Sequence, residues 1–390
     1  INPDGSFHCK FFIKHPVCQF ATIGNSWIPF YIEPGETLTM YIHWEDILAQ
    51  RRARDSNFPL KNTAYMGKCA SLSYLANNLK KLITYNYNDL SKSQKTLTPN
   101  QFKEHFRPFA IQWKQIGDSL EHIYGVSEKA TSLIRNTISQ EIGETMLNFL
   151  MSRPYYARQD STNKVLKVQE DNSYYDFLKE IPANDKTMLV GPNVNIFINR
   201  FEYMNPLTKA YQLIRMQNIN NISTQTEIDK YTADLNKSMR LCKDSIINVL
   251  CDKANPLLWQ ISKVRKLKYE LQSIKTDKVA REYVEGLKKE MTEPVLITAA
   301  EELLRESHPE EGKMSYQLPE GKATDIFRNI IRNHPGKVLF VDFWATTCAP
   351  CRGGIEATAE LRKKYKNHPE FQFIYISGEK ESPKLLTISM

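Results

Sequence analysis

Short apolar runs open the chain, long stretches with apolar residues every third or fourth position follow, and two dense apolar runs return near the C-terminus. Phe7 to Ile13 and Val17 to Ile23 predict short strands on either side of Lys14-His15-Pro16. Trp27 to Ile32 and Thr37 to Trp44 flank Glu33-Pro34-Gly35-Glu36, where Pro followed by Gly is a turn signal. Asp4-Gly5 reads as a further hairpin turn. Residues 1–62 therefore predict a small antiparallel sheet within a β-rich N-terminal domain over 1–70. So few strands rarely stand alone, and the domain is expected to be incomplete.

From Ser71 to Pro309 the spacing is helical. Leu72, Leu75, Leu79 and Leu82 form one stripe. Thr98-Pro99-Asn100 opens a helix with Phe102, Phe106, Phe109, Trp113 and Ile116 on one side, and Ser127-Glu128 opens another carrying Leu133, Ile134, Ile138 and Ile142. Further apolar positions run from Ile246 to Ile261 and from Val284 to Leu287, with Pro154, Pro182, Pro192, Pro206, Pro256 and Pro294 as breaks. No fixed-period repeat is present, which argues against a solenoid. The aromatic stripes read as core. An α-helical region is expected over 71–309.

His308 to Gly321 is rich in Pro, Glu, Gly and Lys and reads as a linker, placed at 310–322. After it the grammar changes. Thr324 to Arg332 predicts a short helix, Val338 to Trp344 a buried-type strand, Ala349 to Tyr365 a helix, and Phe371 to Ile376 a second strand of the same kind. Strand, helix and parallel strand make a βαβ unit over 323–390. The fold class expected is multidomain α+β.

Composition narrows the function only slightly. The 390 residues suit two or three domains, and 41% hydrophobic with 25% charged residues excludes a mostly disordered chain. The formal charge of +8 is a mild bias for this length and does not indicate nucleic acid. The basic runs Arg51-Arg52-Ala53-Arg54 and Lys263 to Lys268 lack interleaved aromatics in a groove pattern and read as solvated faces, as does Arg362-Lys363-Lys364. No apolar stretch is long enough for a membrane span. The chain begins at Ile1 without a leader pattern, which suggests a removed leader or a fragment. The histidines, His8, His15 and His43 among them, form no metal pair, and no cofactor motif is present. Seven cysteines at irregular spacing do not make a small disulfide scaffold. Cys242 and Cys251, nine apart in a helical pattern, fall on opposite faces and read as packing residues. Cys9 and Cys18 could meet on neighbouring strands.

The chemistry-bearing motif is Cys348-Ala349-Pro350-Cys351, which joins the first of the late strands to its helix. That spacing sets Cys348 at a helix N-terminus, where free N–H groups and the helix dipole stabilise a thiolate, and Cys351 one turn on. Pro350 fits the first turn, where its missing donor costs nothing. Cys348 is then the exposed nucleophile and Cys351 the resolving thiol. The alternatives are half of a zinc site and an inert disulfide. Zinc needs two more ligands at close spacing, and only His368 follows Cys351.

Val341-Asp342-Phe343-Trp344-Ala345-Thr346-Thr347-Cys348-Ala349-Pro350-Cys351-Arg352 resembles the active-site strand and loop of the thioredoxin family, and most closely the TlpA/ResA-like thiol–disulfide oxidoreductases of the bacterial cell envelope. The resemblance is tight over roughly 335–380. It implies that Cys348 and Cys351 are the redox pair, that Trp344 is the aromatic beside the site, and that Asp342 is a buried carboxylate assisting proton transfer. Its alternative is a strand residue hydrogen-bonded internally. Phe30 to Leu38 is similar to a strand–turn–strand of the β domain found in one subgroup, and Tyr65-Met66-Gly67-Lys68 to its step into a helical region. The family's usual Trp before the first cysteine is here Thr347, and 39 residues follow Cys351, too few for a whole thioredoxin-like domain. Ser382-Pro383 reads as a helix start rather than the family's cis-proline. The resemblance implies exchange or reduction of disulfides in periplasmic or envelope proteins, with protein thiols and disulfides as substrates and an upstream redox donor. The other reading is a non-enzymatic envelope binding protein with a degenerate redox end.

Overall fold

The structure, a computed structural model, describes residues 2, 4–23, 26–53, 60–124, 127–210, 224–309, 320–345 and 348–377. The chain divides into two compact units, Ile1–Glu310 and Glu311–Met390. Among the described residues it is a mixed α+β chain, mostly helical, with sheets of two strands each.

In the first unit, β1 (Val17–Ile23) pairs antiparallel with β2 (Ser26–Ile32), and β3 (Thr39–Tyr41) with β4 (Ala64–Met66). The Pro34-Gly35 turn forms as expected: Gly35 takes φ +78, and the Glu36 N–H donates to the Glu33 carbonyl at 3.1 Å. The strands flanking it nevertheless pair elsewhere, β2 backward to β1 and β3 forward to β4. A tight turn reverses the chain but does not decide which edge each strand finds. Phe7 to Ile13 is not a strand, and Phe12 is exposed. Asp4-Gly5 does turn, but joins no hairpin. A helix, α1 (Trp44–Ala53), interrupts the stretch read as β.

The helices that follow are α2 (Ala70–Leu82), α3 (Tyr87–Thr96), α4 (Pro99–Tyr124), α5 (Glu128–Gln159), α6 (Val194–Glu202), α7 (Asn205–Thr208), α8 (Gln225–Cys251), α9 (Leu257–Ser273), α10 (Asp277–Lys288) and α11 (Pro294–Ser307). Three 3-10 helices, Lys164–Lys167, Asn172–Lys179 and Lys186–Leu189, link α5 to α6. Several starts are set by side chains. Thr98 and Gln101 cap α4 reciprocally, at 3.3 and 2.9 Å, Ser127 caps α5, and Thr224 with Glu227 forms a capping box on α8. Pro154 does not break its helix: α5 runs through it, as α4 runs through Pro108. Packing of α5 against α3, α4 and α6 holds those helices despite the lost backbone bond. Where α5 meets α6, a Cβ at Gly143 would lie 2.4 Å from the Phe197 ring, so only glycine permits that approach.

One core joins Cys18 and Tyr31 of the first sheet to Leu75, Phe102, Phe149, Phe197 and Trp259 of the helices. A second forms among α8–α11 around Leu267, Val284 and Ala300. His308, read as the start of the linker, is packed: one ring nitrogen lies 2.8 Å from Asp277 Oδ1. Residues 310–319 of that linker lie outside the described residues.

The second unit contains α12 (Lys322–Ile331), β5 (Val338–Phe343), α13 (Ala349–Ala357), α14 (Ala359–Tyr365) and β6 (Phe371–Ile376). β5 and β6 pair in parallel, from Val338 opposite Phe371 to Phe343 opposite Ile376. The βαβ unit is therefore present. The single helix expected between the strands is two, divided at Thr358, whose hydroxyl donates back to the Gly354 and Ile355 carbonyls at 3.0 and 3.1 Å. β5 is not buried on both faces as its sequence suggested: Val338 is 67% exposed and Phe343 64%. A parallel strand is buried only where layers cover both faces. Among the described residues of this unit, Trp344 and Ile355 are the buried hydrophobics. Ser382-Pro383 and the last apolar run, Leu385 to Ile388, lie outside the described residues.

Candidate functional site

The strand β5 ends in a short connection that delivers Cys348 to the first turn of α13. The Trp344 N–H donates to the Ile376 carbonyl at 2.9 Å and prolongs the parallel pairing by one step. The Cys348 N–H then donates to the Ala345 carbonyl at 3.1 Å and turns the chain. Thr346 and Thr347 lie outside the described residues.

Cys348 is the N-cap residue of α13. Its backbone is extended, with φ −85 and ψ 95, and its Sγ accepts a hydrogen bond from the Cys351 N–H at 3.2 Å. This contact matters for reactivity. A free N–H of a first helical turn aimed at sulfur favours the thiolate over the thiol, and the partial positive charge of the helix start adds to it. Pro350 stands in that first turn, where it removes a donor that would have no intrahelical partner. Cys348 and Cys351 are joined as a disulfide with their Cα atoms 5.3 Å apart, within the ordinary range for a bridge. Both cysteines are half-buried.

Trp344 is buried at the start of the connection. Asp342 is half-buried on β5, opposite Tyr375 of β6, and shares its strand face with the exposed Val338 and Phe340. Sequence reasoning missed Arg362, which is not part of a wet face with Lys363 and Lys364. Those two lysines are exposed, but Arg362 folds over the Tyr375 ring at 5.7 Å and donates to the Ile355 carbonyl at 3.1 Å, across the break between α13 and α14. The signal was available: Arg362 lies seven residues after Ile355, two helical turns on and on the same face.

Cys9, Cys18, Cys69, Cys242 and Cys251 are free; Cys9 is exposed and Cys18 buried, so the pairing considered between them is not made. Burial pushes the Cys18 thiol up to about 12 and Cys251 up to about 11, which makes both poor nucleophiles. Among the described residues no group of three His, Cys, Asp or Glu could hold a metal ion, and no helix is long and apolar enough to cross a membrane. The run Lys263 to Lys268 is not a solvated face. Lys263 is buried between Asp244 at 2.8 Å and Glu290 at 2.9 Å, because that side of α9 faces α8.

No protein-family model matches this chain, and neither a curated protein nor a solved structure matches it.

Proposed function

We propose that this protein is a thiol–disulfide oxidoreductase whose second unit is thioredoxin-like, of the TlpA/ResA kind, with Cys348 and Cys351 as the redox pair. One observation carries the reading: the two cysteines close a disulfide across the first turn of the helix that follows a parallel strand, with Cys348 as the cap. In the reduced form the Cys348 thiolate attacks a substrate disulfide. A new S–S bond forms, the old one breaks, and its far sulfur leaves as a thiolate that takes a proton. Cys351, as a thiolate, then attacks Cys348. The second substrate sulfur leaves, and the Cys348–Cys351 bond forms again. Two electrons pass from this protein to the substrate, and an upstream dithiol restores the pair. Asp342 is proposed to accept the Cys351 proton, and Trp344 to wall the site. The resemblance puts the substrates among envelope proteins.

The test uses the whole chain. It is equilibrated in glutathione buffers of graded potential, quenched with an alkylating agent, and the mass of the peptide holding both cysteines is read. The reading expects a reversible two-electron transition of Cys348 and Cys351 and turnover of an added protein disulfide. A pair that stays oxidised across the range, with no turnover, overturns it.

A further inference from the structure

The break between α13 and α14 lies close to the redox pair. Cys351 stands in the first turn of α13, and Ile355, which is buried, lies one turn later. A helix leaves its last carbonyls without intrahelical partners. Here the Thr358 hydroxyl donates to those of Gly354 and Ile355 at 3.0 and 3.1 Å. The Ile355 carbonyl accepts a second bond, from a terminal nitrogen of Arg362 on α14, at 3.1 Å.

Arg362 also reaches the sheet. Its guanidinium carbon lies 5.7 Å from the centroid of the Tyr375 ring on β6, and Tyr375 is the register partner of Asp342 on β5. One side chain therefore touches both the turn of α13 that follows Cys351 and the sheet face that carries Asp342. This arrangement has a cost. Arg362 Nε and the Tyr375 hydroxyl are buried and have no hydrogen-bond partner among the described residues. An arginine that only closed a helix end could keep its spare donors in water. This one gives up Nε to lie on the ring.

The two cysteines need different things from that contact. The reactivity of Cys348 depends on its own helix start, where the Cys351 N–H donates to its sulfur at 3.2 Å. Cys351 must in addition reach Cys348 while a substrate is attached there, so it depends on how firmly α13 is held.

We propose that Arg362 is a positioning residue for the resolving step, holding the second turn of α13 against β6 so that Cys351 is aligned on a mixed disulfide at Cys348. The inference rests on the thiol–disulfide reading above. In that step the Cys351 thiolate gives an electron pair to the Cys348 sulfur. The Cys348–Cys351 bond forms, the bond to the substrate sulfur breaks, and that sulfur leaves as a thiolate. The pair is oxidised and the substrate reduced. Arg362 acts through α13 and not on sulfur.

The experiment uses the reduced full chain carrying Cys9→Ser, which removes an exposed free thiol that would also react. The probe is the aromatic disulfide dithiobis-nitrobenzoate. Attack by Cys348 releases one coloured thiolate and leaves the mixed disulfide; attack by Cys351 releases the second. Stopped-flow absorbance reads the two steps as separate phases. Arg362→Met should leave the first rate within about twofold and slow the second roughly tenfold. Arg362→Lys keeps the charge but cannot span carbonyl and ring together, and should slow the second phase several-fold. If both phases slow together, Arg362 merely props up the unit and the proposal is overturned; if neither moves, it is overturned as well. Should Arg362→Met not fold, the second phase of Arg362→Lys decides it in the same way. A pair that shows no transition in glutathione buffers refutes the thiol–disulfide reading itself, whereas a normal transition without the kinetic split refutes only the role of Arg362.

Discussion

Arg153 of α5 is a cation buried to 4% exposure, and its removal should unfold the first unit more readily than any surface change. Its two terminal nitrogens serve four backbone carbonyls. One donates to Gln94 at 3.1 Å and Leu97 at 2.6 Å, the other to Val165 at 2.6 Å and Val168 at 3.3 Å. The Gln94 and Leu97 carbonyls lie at the C-terminal end of α3, and those of Val165 and Val168 within and just after the first 3-10 helix, where a positive charge is favoured; the Val165 carbonyl also accepts from the Val168 N–H at 3.2 Å. The guanidinium also sits 5.2 Å over the Phe149 ring. A hydrogen bond from a charged donor contributes about 1.5–3 kcal/mol. Counting only the two short contacts gives about 3–6 kcal/mol, and water entering the vacated space returns part of it. Arg153→Met keeps the stem and loses the fork, so it should cost about 3–4 kcal/mol. Arg153→Lys keeps the charge but loses the fork that reaches both helix ends, and should cost about 2 kcal/mol. Urea unfolding of the full chain, followed by the fluorescence of buried Trp113 and Trp259, reads this out. With an m value of about 3 kcal/mol per M, Arg153→Met should lower the midpoint by about 1 M. If both variants stay within about 0.5 kcal/mol of the parent, the clamp does not stabilise the fold and the argument from the clamped carbonyls is wrong.

Burial raises both Glu141 and Glu144 on α5, and their mutual repulsion raises Glu141 further. Folded values above the unfolded one mean that stability is fully present below about pH 4 and is lost as pH rises through neutrality, so Glu141→Gln should flatten that decline in melts taken at graded pH. In the full chain, Cys351→Ser should accumulate mixed disulfides through Cys348, and Cys348→Ser almost none; trapping through Cys351 would reverse the assigned roles. Asp229 accepts from the Lys275 and Thr276 N–H groups at 2.9 and 2.5 Å, just before α10, so Asp229→Ala should cost about 1–2 kcal/mol by chemical denaturation. Amide exchange should be faster in β5 and β6 than in α4 and α5, because Trp344 and Ile355 are the buried hydrophobics described around those strands; equal protection would contradict it.

What could be read in the sequence was whatever depends on near neighbours. β6 begins and ends where its apolar run does, and β5 differs by one residue. Thr98 and Ser127 open the helices their side chains imply, and the Pro34-Gly35 turn forms. What depends on distant partners was not legible. Lys263 looked like a wet charge because Asp244 and Glu290 lie 19 and 27 residues away in sequence. β2 pairs with β1 and β3 with β4 rather than across the turn between them, and β2 and β4 both pack on α2, where the Tyr31 N–H donates to Ser73 Oγ at 3.0 Å. Pro154 marks a break in an isolated helix, yet the helices packed around α5 carry it through.

The same distinction divides the residues of the candidate redox site. The reactivity assigned to Cys348 rests on atoms from residues 345 to 351: the turn at Ala345, the first turn of α13, and the Cys351 N–H aimed at sulfur. Those atoms belong to one short stretch of chain, so this part of the chemistry requires only that α13 begin where it does. The role proposed for Asp342 has a different basis. A carboxylate accepts a thiol proton at neutral pH only if its surroundings disfavour the charged form, and that requires cover over its strand face. Val338 and Phe340 share that face and are exposed. Mixed-disulfide formation through Cys348 and its resolution by Cys351 are therefore separable. Asp342→Asn should leave the first untouched in any setting, and should slow the second only where something covers Val338 and Phe340. Comparing resolution rates alone and with a large bound protein substrate would show which holds, and a loss of the first step in Asp342→Asn would place the carboxylate in contact with Cys348 instead.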